Sequence, residues 1–170
     1  MSTTPQVGLP APDFILPGVH LTEGRVQHHD YTLSGQLGHP VILAFYPGDD
    51  TSVCTKQMCS YSSGLEQFAD LNTTIWAISP QDLNSHERFA RKHDLHMPLL
   101  ADTDREVVAD YGISLGSSLR RAVFIIDAQG ILRWKHVALL GLTYRNIQEL
   151  TTHLANLTRP QHDNWLPWPP

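Results

Sequence analysis

Cys54 and Cys59 are the only thiols in this 170-residue chain, and they stand five positions apart in YPGDDTSVCTKQMCS, residues 46–60. Pro47 and Thr51 precede them. The stretch follows a strand-like apolar run and opens a helical pattern, which places Cys54 in the first turn of a helix. A thiol there faces unpaired backbone N–H groups and the positive end of the helix dipole, which favour thiolate over thiol. The thiolate is the reactive form. Pro47 fixes the chain as it leaves the strand, and its ring can shield the sulfur from water. Thr51 sets a hydroxyl one turn ahead of the sulfur, able to donate to or accept from an oxygen lying on it.

Cys59 sharpens the question. Five residues of ideal helix separate Cα atoms by roughly 8–9 Å, whereas a disulfide needs them within about 7 Å. The two sulfurs therefore cannot join until the first turns unwind. Such a pair is ill suited to a permanent staple and well suited to a reaction intermediate. Taken alone, the spacing still admits inert buried thiols, a metal site or redox work. A metal is weakened by the lack of a second pair at zinc spacing. The ten histidines, His28, His29, His86, His93 and His96 among them, are scattered without ligand spacing and read mostly as surface residues. No C-x-x-C is present, so dithiol exchange is not the expected main activity.

The chain that must position these residues is of single-domain length. It is 41% hydrophobic and 17% charged, with 12 basic against 17 acidic residues and a formal net charge of −5. Without basic runs, nucleic acid and acidic membranes are not expected partners. No stretch reaches the roughly 18 apolar residues of a membrane span, and the start MSTTPQVGLPAPDF lacks the charge and apolar pattern of a secretory signal. The expected localisation is cytoplasmic, where a stable structural disulfide is uncommon.

Residues 40–46, PVILAFY, are apolar on both faces and predict a central strand. A helix is expected over about 53–70, with Met58, Tyr61, Leu65 and Phe68 at helical spacing, then a strand over 73–79. Asn84 and Glu87 suggest a capping box for a helix running to about His93. A short strand at 98–101, a short helix at 104–111, a hairpin of 122–127 and 131–137 around AQG, and a helix at 144–157 complete the reading. Strands alternating with helices, then a hairpin and a last helix, predict an α/β, thioredoxin-like fold. Its central mixed sheet would be flanked by helices, with strand additions at the N-terminus. Residues 1–157 would form the domain and 158–170 a Pro- and Trp-rich tail, docked by its tryptophans.

FYPGDDTSVCT presents Pro47, Thr51 and Cys54 as P-x-x-x-T-x-x-C, which resembles the active-site signature of peroxiredoxins; a second cysteine five positions on resembles the bacterioferritin comigratory protein subgroup. APDFILP (11–17) and RAVFIIDAQGIL (121–132) are similar to further segments of that family, and the resemblance spans about residues 7–157. It implies that Cys54 is the peroxidatic cysteine, oxidised by peroxide to a sulfenic acid. Thr51 and the backbone N–H of Cys54 would hold the peroxide oxygens, Arg121 would keep the sulfur ionised and stabilise the leaving oxygen, and Pro47 would shield it. Cys59 would resolve the sulfenic acid as an intramolecular disulfide, reduced in turn by thioredoxin or a similar dithiol. Arg121 is favoured over Arg120 by the motif's register; neighbours on a strand point to opposite faces, and Arg120 reads as a solvated charge.

Two positions depart from the family pattern. Gln57 stands where a glutamate is common, removing a charge. Ser52 and Val53 replace a proline and a glycine, which could stiffen the turn. Phe45, Tyr46 and Trp76 read as core, Tyr46 with a possible place at the pocket edge; Trp134 has no assigned role. The resulting expectation is a thiol peroxidase acting on hydrogen peroxide or small alkyl hydroperoxides, without metal or organic cofactor, and monomeric. The competing readings are a peroxide sensor relaying its disulfide to a partner protein and a metal-binding domain without catalysis.

Overall fold

The computed structural model describes residues 3–139 and 143–158. The expected tail, and the docking of its tryptophans, lie outside the described residues apart from Thr158 at the end of the last helix. The chain begins with a hairpin of β1 (Ile15–Thr22) and β2 (Arg25–Thr32), then a 3-10 turn (Leu33–Gln36) and β3 (Val41–Phe45). Next come α1 (Ser52–Ser63), α2 (Leu65–Asp70), β4 (Thr74–Ser79), α3 (Leu83–His93), β5 (Leu99–Ala101) and α4 (Glu106–Asp110). A small hairpin of β6 (Ser114–Leu115) and β7 (Ser118–Leu119) precedes β8 (Ala122–Ile126), β9 (Leu132–Val137) and α5 (Ile147–Thr158).

Seven strands form one sheet in the order β2-β1-β5-β4-β3-β8-β9. β3, β4 and β5 run parallel; β8 and β9 join antiparallel on one side, β1 and β2 on the other. This is the expected mixed sheet with its N-terminal strand addition, and the strand-by-strand reading of 40–46, 73–79 and the 122–137 hairpin holds. β3 is buried along its whole length, and its alternate residues face opposite layers, as the two-residue strand period requires. Ile42 and Ala44 pack with Met58, Tyr61 and Phe89 and with Leu150 and Leu154 of α5. Val41, Leu43 and Phe45 pack with Trp76, Val108, Tyr111 and Phe124. Phe45, Tyr46 and Trp76 are core residues, as expected.

Three boundaries differ from expectation. The helix predicted over 53–70 is two helices meeting at Gly64, whose backbone leaves the helical region; a Cβ there would also collide with Ile147 Cδ1 at the start of α5. The periodicity of Met58, Tyr61, Leu65 and Phe68 runs across the break and hides it. α3 is capped by Asp82, whose Oδ1 accepts from Ser85 N at 2.8 Å; Asn84 and Glu87 lie inside the helix rather than forming its capping box. α5 starts at Ile147, since Asn146 takes the capping role, its Oδ1 accepting from Glu149 N at 2.9 Å.

Candidate active site

β3 delivers the chain to the loop 46–51 at its C-terminal end, and α1 leaves from it, so the site stands where a central parallel strand turns into a helix. Thr51 is the N-cap of α1, with extended backbone. Its Oγ1 donates to Gly48 O at 3.2 Å rather than capping the helix. The first intrahelical bond runs from Thr55 N to Thr51 O at 2.8 Å. The N–H groups of Val53 and Cys54 consequently have no helical carbonyl ahead of them and are open to an anionic or oxygen-bearing group.

The inward face of α1 carries Cys54, Gln57, Met58 and Tyr61, all buried, at helical spacing. Cys54 is 1% exposed, Cys59 is half-buried, and both are free thiols. Arg121, the residue just before β8, is buried, and its Nη2 donates to Cys54 Sγ at 3.1 Å. The same guanidinium donates through Nη1 to Gln57 Oε1. Arg120 is exposed, so the alternation of the strand end separates the two arginines as expected. Pro47 is half-buried at the head of the loop and Thr51 is exposed at its end. Both cysteines lie within unbroken helix, the arrangement in which a disulfide between them is out of reach.

Gln57 explains itself once its partners are seen. Its Oε1 accepts from Arg121 while its Nε2 donates to Tyr61 Oη at 3.3 Å, and Tyr61 Oη donates to Arg145 O at 2.7 Å. Burial holds the Tyr61 phenol well above its ordinary range, so it keeps its proton and can make that bond. A carboxylate could accept from Arg121 but not donate onward. It would also cancel the arginine charge that now faces the sulfur. Gln57→Glu is therefore expected to lower the second-order rate of peroxide reduction by about tenfold, the loss of roughly one charge-assisted interaction. Stopped-flow oxidation under pseudo-first-order peroxide measures it.

A second polar cluster lies under the loop and was not read from the sequence. Asp49 Oδ1 accepts from Tyr46 Oη at 2.6 Å; its Oδ2 accepts from Ser85 Oγ at 2.8 Å and from His86 Nδ1 at 2.8 Å. His86 Nε2 donates to Leu100 O at 3.0 Å. The His86 side chain is fully buried and that of Asp49 is 3% exposed. His86 is thus a correction to the reading of the histidines as mostly surface residues: it lies one turn before Phe89 on the apolar face of α3. Burial, reinforced by the Asp49 carboxylate, pushes the Tyr46 phenol well above its ordinary range. Asp50, next along the loop, is exposed and held below the usual carboxylate range by hydrogen bonds from His93 and Lys92.

Among the described residues no group of three His, Cys, Asp or Glu side chains could hold a metal ion, and no helix is long and apolar enough to cross a membrane. A thioredoxin-like sheet that presents a buried thiol at a helix N-terminus, with a guanidinium on the sulfur, is the framework of a thiol-dependent peroxidase. Residues 7–135 match the model of the AhpC/TSA family, and the chain belongs to that family. It is 32% identical over 146 residues to a peroxiredoxin bcp of Coxiella burnetii, covering 80% of this chain and 92% of that one. It is also 32% identical over 131 residues to a chloroplastic peroxiredoxin Q of Triticum aestivum, covering 70% of this chain and 59% of that one. The fold matches a 2-Cys peroxiredoxin of Plasmodium vivax in its reduced form, with TM-score 0.81, 23% identity and coverage of 89% and 95%. It matches AhpC of Mycobacterium tuberculosis with TM-score 0.82, 22% identity and coverage of 96% and 97%.

Proposed function

We propose that this chain reduces hydrogen peroxide and small organic hydroperoxides through Cys54, with Cys59 as the resolving thiol and a thioredoxin-type dithiol as reductant. The observation that carries this reading is the hydrogen bond from the buried Arg121 guanidinium to Cys54 Sγ at 3.1 Å. In the first step the Cys54 thiolate attacks the terminal peroxide oxygen. The O–O bond breaks, sulfur is oxidised to sulfenic acid, and the departing alkoxide or hydroxide takes a proton to become alcohol or water. Arg121 and the open N–H groups of the first turn face the oxygens on which charge develops, and the Thr51 hydroxyl, whose proton goes to Gly48 O, accepts from the peroxide O–H. Pro47 restricts water around the sulfur.

In the second step α1 loosens at its start, and the Cys59 thiol attacks the Cys54 sulfenic sulfur, forming the S–S bond and releasing water. A dithiol then reduces the disulfide by exchange, becoming oxidised itself. Both thiols of the scheme lie on one helix, so no second chain is needed for either step, and the proposed working unit is a monomer in a reducing compartment such as the cytoplasm.

Cys59→Ser tests the division of labour. Its first oxidation should keep the native rate within about threefold, since the hydrogen bond on Cys54 Sγ comes from Arg121 and Cys59 supplies none of the proposed peroxide contacts. Turnover with thioredoxin and its reductase should fall to background, and a dimedone-type probe should capture the sulfenic acid on Cys54. Native-like cycling by Cys59→Ser would remove Cys59 from the mechanism. Absence of thioredoxin-driven turnover in the native chain would remove the proposed reductant.

A further inference from the structure

Asp49 and His86 have no part in the two chemical steps, yet with Tyr46, which shares a core cluster with Cys54, they grip the segment that must move between them. Asp49 lies five residues before Cys54. Its carboxylate is held by Tyr46, Ser85 and His86, and its backbone N–H donates to Gln81 Oε1 at 2.7 Å. Gln81 is itself held, its Oε1 accepting from Ser79 Oγ at 3.0 Å. His86 in turn is tied to Leu100 O of β5. The loop is therefore anchored on β3, β4, β5 and α3 at once.

Opening of α1 must carry Cys54 out of contact with Arg121 and bring its Cα nearer to that of Cys59. With the chain pinned at Asp49, the slack has to come from residue 50 onward, against the intact bond from Thr55 N to Thr51 O. Freeing Asp49 adds the residues back to Tyr46 to the movable segment.

We propose that Asp49 and His86 are positioning residues: their buried hydrogen bond holds the loop closed over the oxidised site and sets how long the Cys54 sulfenic acid survives before Cys59 reaches it. A tight pair favours a well-formed peroxide pocket and exposes the sulfenic acid to a second peroxide. A loosened pair favours the disulfide. In the second oxidation the sulfenate attacks another peroxide, becomes sulfinic acid, and releases water or alcohol. Asp50 is a weaker tether of the same loop, because its partners Lys92 and His93 hold it in water.

This inference rests on the peroxidase reading, and the experiment separates the two. Native protein, Asp49→Asn and His86→Gln are each mixed with a series of peroxide concentrations, quenched at intervals, and weighed as intact chains. Loss of two hydrogens reports disulfide, and gain of two oxygens reports sulfinic acid. Both variants should form disulfide faster than native by about ten- to a hundredfold, the value of one charge-assisted hydrogen bond lost from the closed state. The peroxide concentration that diverts half the chains to sulfinic acid should rise by a similar factor.

Ser85→Ala removes one hydrogen bond from Asp49 and leaves the one from His86, so it supplies the test should His86→Gln not fold; a gain of about threefold is expected. A purely structural role would lower the melting temperature and leave the sulfenic acid lifetime unchanged. An unchanged or longer lifetime in Asp49→Asn and Ser85→Ala overturns the proposal. Failure of the peroxidase reading shows separately, as native chains that form no disulfide with one equivalent of peroxide.

Discussion

Cys54→Ser is expected to reduce peroxide consumption to that of an ordinary exposed thiol, a fall on the order of 10⁴-fold or more given a positioned charged donor and a held substrate. The loss is one of kind as well as degree. Sulfur can accept an oxygen and stay bonded to the chain as a sulfenic acid; a serine oxygen has no comparable oxidised state. The residual activity would come from Cys59, which is half-buried. The substitution is nearly isosteric and the serine hydroxyl can accept from Arg121 Nη2, so the fold should survive. Circular dichroism should therefore match native while peroxide consumption, followed by electrode or dye, is flat. Consumption above the level of free cysteine would place the reactive sulfur elsewhere.

The parts of this site legible in the sequence are those whose determinants are local. PVILAFY announces a doubly covered strand because its neighbours in sequence are also its neighbours in the buried layer. Pro47, Thr51 and Cys54 lie on one strand-to-helix connection, so their spacing alone brings them together. Arg121 is different: it lies 67 positions from Cys54, and only the family resemblance of its strand singled it out. The pairing of β3 with β8, Phe45 opposite Ala122, is what brings it to the sulfur.

Asp49 and His86 were missed for the same reason. Their contact crosses 37 positions, and a histidine in LNSHERFARKH reads as solvated unless its place three residues before Phe89 is given weight. Gln57 had a similar clue, since Cys54, Gln57, Met58 and Tyr61 form an apolar stripe with one amide in it. β2 left little trace: RVQHHDYT is exposed or half-buried throughout, as an edge strand can be, so its place depends on β1 rather than on its own pattern. The break at Gly64 had a local signal in the glycine itself, but the contact that excludes any side chain there, with Ile147, lies across the fold.

Arg121 carries the second large effect. Arg121→Met should keep the buried volume and lower the second-order rate with peroxide by about 10²–10³-fold, the cost of removing one preorganised donor from a developing negative charge. Arg121→Lys separates charge from geometry. An ammonium keeps the positive charge but has no planar fork, and from one nitrogen it cannot reproduce the two directions in which Nη2 meets Cys54 Sγ and Nη1 meets Gln57 Oε1. Its rate should fall between methionine and native. If charge alone mattered, lysine would match arginine; if the fork alone mattered, lysine would match methionine. Thermal melts discriminate against trivial unfolding: methionine fills the buried volume without the hydrogen bonds to Gln57 and Cys54, and the rate should fall far more than the stability. A methionine variant that reduces peroxide at the native rate would show that the guanidinium on the sulfur has no part in the chemistry.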